Sequence, residues 1–248
     1  MIYSFKTKAL MMGSLLIFST QVLGHAGYQP KDVMDAYDGR AYKENSTAYL
    51  SLTVPHGCRD EAENTYPTRH IGLLLPTMVS LSTEQGYTED RDGKHYGANA
   101  MMGIRTAIDS NWGVIRQLNG EVSEYYSHGA KTTDVKAIHW LNGYLPYEMY
   151  AALKFRATFP KLSGCLTKMR VYTPVIQYCD NEQYLVWNKA PTTAFPEEKV
   201  SLGYTPYFDV VREIANNPLA ETCEKEETWE AYPADDAIDW YLSPRETY

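Results

Sequence analysis

Several common features are missing from this 248-residue sequence, and each absence excludes a class of protein. The four cysteines form no Cys-x-x-Cys pair, which argues against a thioredoxin-like site and a zinc ribbon. The six histidines form no His-x-His or His-x3-His pair, so a zinc hydrolase is poorly supported. There is no internal repeat or low-complexity run, and no convincing helical pattern precedes residue 205.

Basic residues are also scarce relative to acidic ones. The sequence has 23 Lys and Arg against 31 Asp and Glu, for a formal net charge of -8. From residue 197 onward there are 13 acids and 4 bases, so the body before that point is nearly neutral. This balance argues against a nucleic-acid partner and against a polybasic membrane contact.

The first 24 residues are typical of a secretory signal peptide. Lys6 and Lys8 precede an apolar run from Ala9 to Phe18, and small or permissive residues follow up to Gly24. The apolar run is too short to span a bilayer. We therefore predict cleavage before His25, a periplasmic or secreted location, and no membrane span after cleavage. The alternatives are an uncleaved anchor, or a cut one or two residues away.

A mature N-terminal histidine is a potential copper ligand. The α-amine and imidazole Nδ1 of His25 can bind one metal together, and an α-amine with a pKa of about 8 deprotonates readily beside a cation. Two nitrogen donors suit Cu(II), which leads the divalent affinity order and prefers tetragonal N and O ligation. Any residue can follow a cleavage site, so this signal is weak by itself.

Short β-strands dominate the pattern between residues 49 and 188. The segments are rich in β-branched and aromatic residues, and turns such as Asn142-Gly143 separate several of them. The predicted strands are 49–54, 68–75, 101–108, 113–118, 121–126, 135–140, 150–159, 168–178 and 183–188. The sequence therefore predicts an all-β fold, an immunoglobulin-like antiparallel β-sandwich.

The remaining segments lack this β pattern. Residues 25–45 are polar and predict an arm and a loop, and the charged residues 82–98 predict an exposed insertion. Apolar residues at helical spacing predict one short helix over 206–216, within an otherwise mainly irregular acidic extension. We divide the chain into a signal peptide (1–24), a sandwich domain (25–191) and a C-terminal extension (192–248).

The four cysteines predict two disulfides, because exported proteins meet an oxidising compartment. Three pairings are possible in principle. Cys223 lies in the acidic extension and indicates that this tail is tied back to the body of the protein, most simply through Cys165.

Several blocks of sequence follow one another with characteristic gaps. They are Tyr49, Leu52, Val54-Pro55-His56-Gly57-Cys58, Trp112, Ser127-His128-Gly129-Ala130-Lys131, Ile138-His139-Trp140, Gly143-Tyr144-Leu145-Pro146, Tyr150, Phe155-Arg156, Tyr172-Thr173-Pro174-Val175-Ile176-Gln177-Tyr178-Cys179 and Trp187. In this order the blocks resemble the YcnI-like family of exported copper-binding domains, in its Gram-negative form. The resemblance covers residues 25 to 191.

The resemblance implies a β-sandwich with a copper site at its mature N-terminus. The ligands would be the α-amine and Nδ1 of the first residue, here His25, and a carboxylate on the strand after the Leu-Pro turn. A tryptophan, here Trp187, would lie beside the metal and shield it. The carboxylate belongs at position 152, where this chain has Ala152. This departure weakens the copper interpretation, because an anionic partner is missing.

The resemblance also implies a disulfide pairing. It pairs Cys58 with Cys179, and each of these residues ends a predicted strand, where sandwiches are commonly cross-linked. The remaining pair is then Cys165 with Cys223.

Two residues near Ala152 are alternative ligands. Glu148 lies about 13 Å from residue 152 along a strand, so it can contribute only if the Leu-Pro turn brings it round. Met149 carries a thioether, which would favour Cu(I). The structural alternatives are a solvated turn residue for Glu148 and a core methionine for Met149.

The combined prediction is a non-enzymatic copper-binding protein that handles or delivers copper, with Cu(II) as the bound ion. A copper-delivery or membrane copper-transport protein is the partner that this role implies. One alternative is a copper monooxygenase, which would need a second histidine such as His128 or His139 near His25. Another is a metal-free extracellular interaction module, which Ala152 favours.

Overall fold

The computed structural model describes residues 25–28, 41–60, 62–76, 88–89, 95–96, 101–119, 125–127, 130–132, 135–200 and 204–243. In chain order the strands are β1 (Gly27–Tyr28), β2 (Ala41–Lys43), β3 (Thr47–Val54), β4 (Cys58–Arg59), β5 (Thr65–Tyr66), β6 (Thr68–Leu74), β7 (Thr88–Glu89), β8 (His95–Tyr96), β9 (Met102–Thr106), β10 (Trp112–Asn119), β11 (Tyr125–Ser127), β12 (Ala130–Thr132), β13 (Val135–Gly143), β14 (Ala151–Thr158), β15 (Leu166–Tyr172), β16 (Val175–Cys179), β17 (Tyr184–Trp187), β18 (Tyr207–Val211) and β19 (Glu227–Ala231). A 3-10 turn spans Glu197–Lys199, and a single α-helix within the described ranges, α1, spans Asp235–Leu242.

Three sheets contain most of these strands. The first sheet has the order β1-β3-β14-β9, the second β10-β13-β6-β16-β17 and the third β19-β15-β18-β2. One buried hydrophobic cluster contains side chains from all three, including Leu52, Trp140 and Phe208. The predicted all-β sandwich is therefore confirmed. The third sheet is mixed, because β15 pairs with β19, and β18 with β2, in parallel.

Strand β3 shows how the sequence pattern produces the sandwich. Leu50, Leu52 and Val54 are buried, whereas Tyr49, the residue before Leu50, is 80% exposed. Successive side chains of a strand point to opposite faces, so this alternation places every second residue in the core.

One predicted strand is two strands in the structure. Residues 168–178 are divided between β15, in the third sheet, and β16, in the second. The break falls at Thr173-Pro174, because proline has no N–H for a ladder and restricts the residue before it. Thr173 instead donates its backbone N–H to Pro206 O at 2.8 Å.

The C-terminal extension is more ordered than its composition indicated. The helix predicted over 206–216 is wrong, because β18 lies there with Phe208 and Val210 buried in alternation. Strands β18 and β19 flank β15, so residues on both sides of the predicted boundary at 191 share one sheet. Helix α1 covers the outer face of the second sheet, where its buried residues pack against Leu74, Ala137 and Ile176.

Other predictions fall partly or wholly outside the described residues. The signal peptide lies outside them, as does the insertion at 82–98 apart from the paired strands β7 and β8. The arm and loop predicted at 25–45 contain β1 and β2. Both predicted disulfides are present: Cys58–Cys179 and Cys165–Cys223. The second one ties the extension to the start of β15, where Glu227 also donates its N–H to Cys165 O at 2.9 Å.

A buried carboxylate also joins the extension to the body of the protein. Glu44 is 6% exposed, and its oxygens accept hydrogen bonds from the backbone N–H groups of Leu162 (2.6 Å) and Glu213 (2.9 Å). The Asn217 amide donates to both oxygens of the same carboxylate at 2.9 Å. A buried charge is stable only when such donors replace its water, so these bonds fix the geometry of the extension.

We expect Glu44→Ala to lower the free energy of unfolding by roughly 2–4 kcal/mol, because one buried and two half-buried donors lose their acceptor. Glu213→Ala is the control, since it removes a largely exposed ion pair with Lys43 and a side-chain contact with Asn216, and should change little. Denaturant titration of both variants measures the difference, and equal effects would contradict the assignment.

Candidate metal centre

The N-terminal arm is anchored in the core directly after His25. Ala26 is fully buried, and Tyr28 is 5% exposed with its ring edge-on to Phe208 at 5.0 Å. The Tyr28 hydroxyl shares a hydrogen bond with Thr173 Oγ1 at 2.8 Å, and burial raises the pKa of Tyr28, so the phenol stays neutral. These contacts hold His25 at the surface of the sandwich, where its side chain is exposed.

The imidazole of His25 stacks on the ring of Tyr204. The two ring centroids are 4.5 Å apart, with an interplanar angle of 25°. Tyr204 also lies over Gly27, because a Cβ added at Gly27 would be 3.0 Å from the tyrosine hydroxyl oxygen. Sequence reasoning missed Tyr204, since it lies in the extension, beyond the segment that carries the family resemblance.

Position 152 lies on the same face of the first sheet as His25. Thr53 pairs with Gly27 on one side and with Ala152 on the other, so the three residues form one row across β1, β3 and β14. His25 lies just before β1, and the alternation of exposed His25, buried Ala26, half-buried Gly27 and buried Tyr28 puts His25 on the side of Gly27. Two strand spacings separate Gly27 from Ala152, about 10 Å between Cα atoms.

A polar atom in this row has no protein partner in the described ranges. Thr53 Oγ1 is buried and makes no hydrogen bond there, and the same is true of Ser51 Oγ on the same face. Buried hydroxyl groups in proteins nearly always bond to another polar group or to water. This row can therefore accommodate an added polar group beside Thr53.

The other predicted ligands lie in the turn between β13 and β14. Met149 is 62% exposed, so it is not a core residue, and it donates its N–H to Pro146 O at 3.2 Å. Glu148 is exposed. The turn ends at Ala151, which pairs with Val54, and so lies at the end of β3 that β1 reaches. Glu148 and Met149 remain predicted ligands on this evidence.

Trp187 is packed in the hydrophobic core. It is 1% exposed and lies at the end of β17, opposite Val175. Tyr204 packs against the same cluster. The aromatic ring that stacks on His25 is that of Tyr204 and not that of Trp187. The predicted role of Trp187 beside a metal remains a prediction.

The remaining histidines lie elsewhere. His56 bonds to Gly57 O and faces Tyr147, with 5.0 Å between the ring centroids. His139 bonds to His70 on the outer face of the second sheet, and His128 lies outside the described residues. In the part of the chain that the structure covers, no group of three or more His, Cys, Asp or Glu could hold a metal ion.

An open groove of about 510 Å³ lies between β9 and β10. Its walls include Arg105, Ile108, Asp109, Trp112 and Gln117. None of the predicted metal ligands lines it.

Comparisons with known proteins leave the family of this chain unassigned. No family model matches the sequence, and no curated protein matches it. One solved structure, described as "AvmM Catalyzes Macrocyclization in Alchivemycin A Biosynthesis", aligns with 75% of this chain and 88% of its own at 10% identity. The TM-score is 0.26. Among the described residues there is no helix with the length and apolar character needed to cross a membrane.

The stack of His25 on Tyr204 predicts a ring-current shift. We expect the His25 ring protons to resonate upfield of ordinary histidine positions, and to move downfield in Tyr204→Leu, which removes the aromatic ring. Carbon-edited proton NMR measures both. Tyr49→Leu is the control, because Tyr49 is 80% exposed and lies on another part of β3. An unchanged His25 spectrum in Tyr204→Leu would contradict the stack.

Proposed function

We propose that this protein is exported and that its mature form binds copper through His25, for copper handling or delivery and not for catalysis. The observation that supports this proposal is the placement of His25. An anchored arm holds its imidazole exposed on a sheet face that also carries position 152. Cleavage before His25 would add the free α-amine as a second nitrogen donor next to that imidazole.

His25 would supply two nitrogen donors to the metal, its α-amine and its Nδ1. The third donor, expected from position 152, is missing from this chain. Ala152 provides no carboxylate, so the third donor in this proposal is Glu148 or Met149 from the neighbouring turn, or water. A carboxylate or water oxygen suits Cu(II), whereas the methionine thioether suits Cu(I). The copper is cargo in this proposal, and the role of the protein is to bind and release it.

The proposed location is the periplasm or the extracellular space. The four cysteines are paired in two disulfides, and no free cysteine remains. Disulfides of this kind persist in oxidising compartments. They support export and do not distinguish the periplasm from the medium.

A metal-free interaction module is the second candidate function. Ala152 favours it, and so do three exposed apolar side chains at the same end of the sandwich. Tyr144, Met149 and Tyr150 are each at least 62% exposed. Clusters of exposed aromatic and methionine side chains are typical of protein-binding surfaces. A copper monooxygenase has no comparable support, because His139 is paired with His70 away from His25.

We expect the mature protein that begins at His25 to bind one Cu(II) tightly, with nitrogen hyperfine structure in its electron paramagnetic resonance spectrum. One extra residue before His25 should abolish tight binding, because it converts the α-amine into an amide. Copper titration of both forms measures this. Equal binding by both forms rules out the N-terminal chelate, and no binding by either supports the interaction module.

Restoring a carboxylate at position 152 should strengthen the site. We expect Ala152→Glu to tighten Cu(II) binding by roughly tenfold, as an added interaction of about 1.4 kcal/mol would give. Lys154→Glu is the control, because it makes the same face more negative, by two charge units against one, but two residues farther along β14. An equal gain in the control would mean that net charge, not position, determines the affinity.

A further inference from the structure

Two histidines, a half-buried His70 and a fully buried His139, form a pair on the outer face of the second sheet. His70 on β6 and His139 on β13 lie on adjacent strands, and His70 Nε2 is 2.7 Å from His139 Nδ1. Gly72 faces His139 across the same ladder, and a Cβ there would lie 3.0 Å from His139 Cε1. The absence of a side chain at Gly72 therefore makes room for the two rings.

Helix α1 covers this pair. The Tyr178 ring stacks on His70 with 4.8 Å between centroids, and its hydroxyl donates to Leu242 O at 2.8 Å, at the end of α1. The backbone of Tyr241, also in α1, lies close enough to His139 to act on its pKa. The pair is thus in direct contact with groups that hold the helix to the sheet.

Burial keeps both rings neutral. Burial, with a smaller contribution from the charge of His139, lowers the pKa of His70 to about 3. Burial also lowers the pKa of His139 to about 4, with a smaller contribution from Arg116 on β10, whereas the Tyr241 backbone opposes the shift. The titratable or charged side chains placed against the pair in the described ranges are Arg116, opposite His139, and Tyr178, stacked on His70, whereas Tyr241 approaches through its backbone. The α1 carboxylate of Asp239 bonds to Thr192 and Ala194 instead.

The short bond between the rings tolerates one proton but not two. In the neutral pair one ring nitrogen donates and the other accepts. A first added proton can reside on an outer nitrogen without breaking this bond. When both rings are protonated, all their nitrogens carry hydrogens, so the two facing nitrogens repel and both charges need water.

We propose that the His70–His139 pair is an acid-sensitive latch for the C-terminal helix. While neutral, it holds α1 against the second sheet, and protonation of both rings releases α1 from a sandwich that remains folded. An exposed histidine has a pKa of about 6.5. When α1 is released, the two histidines therefore take up protons that they exclude while α1 is docked. The docked state is therefore fully favoured above that pH and loses its advantage as the pH falls toward 4. The latch does not depend on copper.

The test follows α1 through Trp240, which lies in the helix and is 60% exposed. The metal-free mature protein is labelled with 5-fluorotryptophan, and the Trp240 signal is assigned with Trp240→Phe. We expect its fluorine resonance to move to a released position between about pH 6.5 and 4. The resonance of Trp140, buried in the core, should stay in place over this range.

A paired substitution isolates the latch. His70→Gln with His139→Asn places amide groups where Nε2 and Nδ1 lie, so the hydrogen bond can persist without a titratable ring. Trp240 should then stay docked to pH 4. His56→Asn, which removes a histidine outside the pair, should behave as wild type. A transition of Trp240 in the paired variant like that in the wild type would overturn the latch.

The wild-type protein alone also tests the proposal, in case the paired variant fails to fold. Carbon-edited NMR of the histidine rings should show His70 and His139 becoming protonated with the same midpoint as the Trp240 change. Protonation while Trp240 stays docked would overturn the proposal. So would an unmoved Trp240 resonance at pH 4, or simultaneous loss of Trp140 and Trp240 signals, which indicates global unfolding.

Discussion

The centre of the second sheet is buried on both faces, and much of the remaining structure depends on this constraint. Its central strand, β6, has Ile71 and Leu73 in the main core, while Leu74 packs in the opposite direction against the C-terminal segment. A sheet that is apolar on both faces needs a cover on each. The first and third sheets enclose the main core with it, and α1 with the segment around Phe195 covers the other face.

This double burial determines how polar groups inside the protein are accommodated. On the outer face, the His70 and His139 rings are polar but neutral, because no carboxylate in the described ranges faces them to balance a positive charge. At Glu44 the charge is retained, since backbone and amide donors surround its oxygens. The guanidinium of Arg212, which is also buried, donates hydrogen bonds to the carbonyl groups of Gly164, Leu166 and Pro218. Both charged networks join the extension to the body of the protein.

The sequence predicted the sandwich well because period-two alternation is a local signal. Strands such as β3 and β14 show it, and the disulfide of Cys58 and Cys179 agrees with the resemblance. The failure at residues 206–216 was also local in origin. Five apolar residues in a short span satisfy both a helical and an alternating pattern, and pairing with β15 decided between them.

The parts of the candidate sites that could not be predicted depend on contacts between distant segments. Nothing near His25 in the sequence indicates that Tyr204 would cover it. His70 and His139 are 69 residues apart, and each looks like an isolated strand histidine until β6 and β13 pair. The separation into β15 and β16 was missed for a different reason, because Pro174 is visible in the sequence and its effect as a strand break was not used.

The third sheet has a consequence for the order of folding. Its four strands come from residues 41–43, 166–172, 207–211 and 227–231, and two of its three pairings are parallel. Such long-range pairings are slow to form, since a large loop must close before any of them is gained. During synthesis, β2 therefore has no partner in this sheet until β18, in the last fifth of the chain, has been made. Until then, β2 and β15 lack their partners in the third sheet, and unpaired strand edges of this kind favour aggregation during folding.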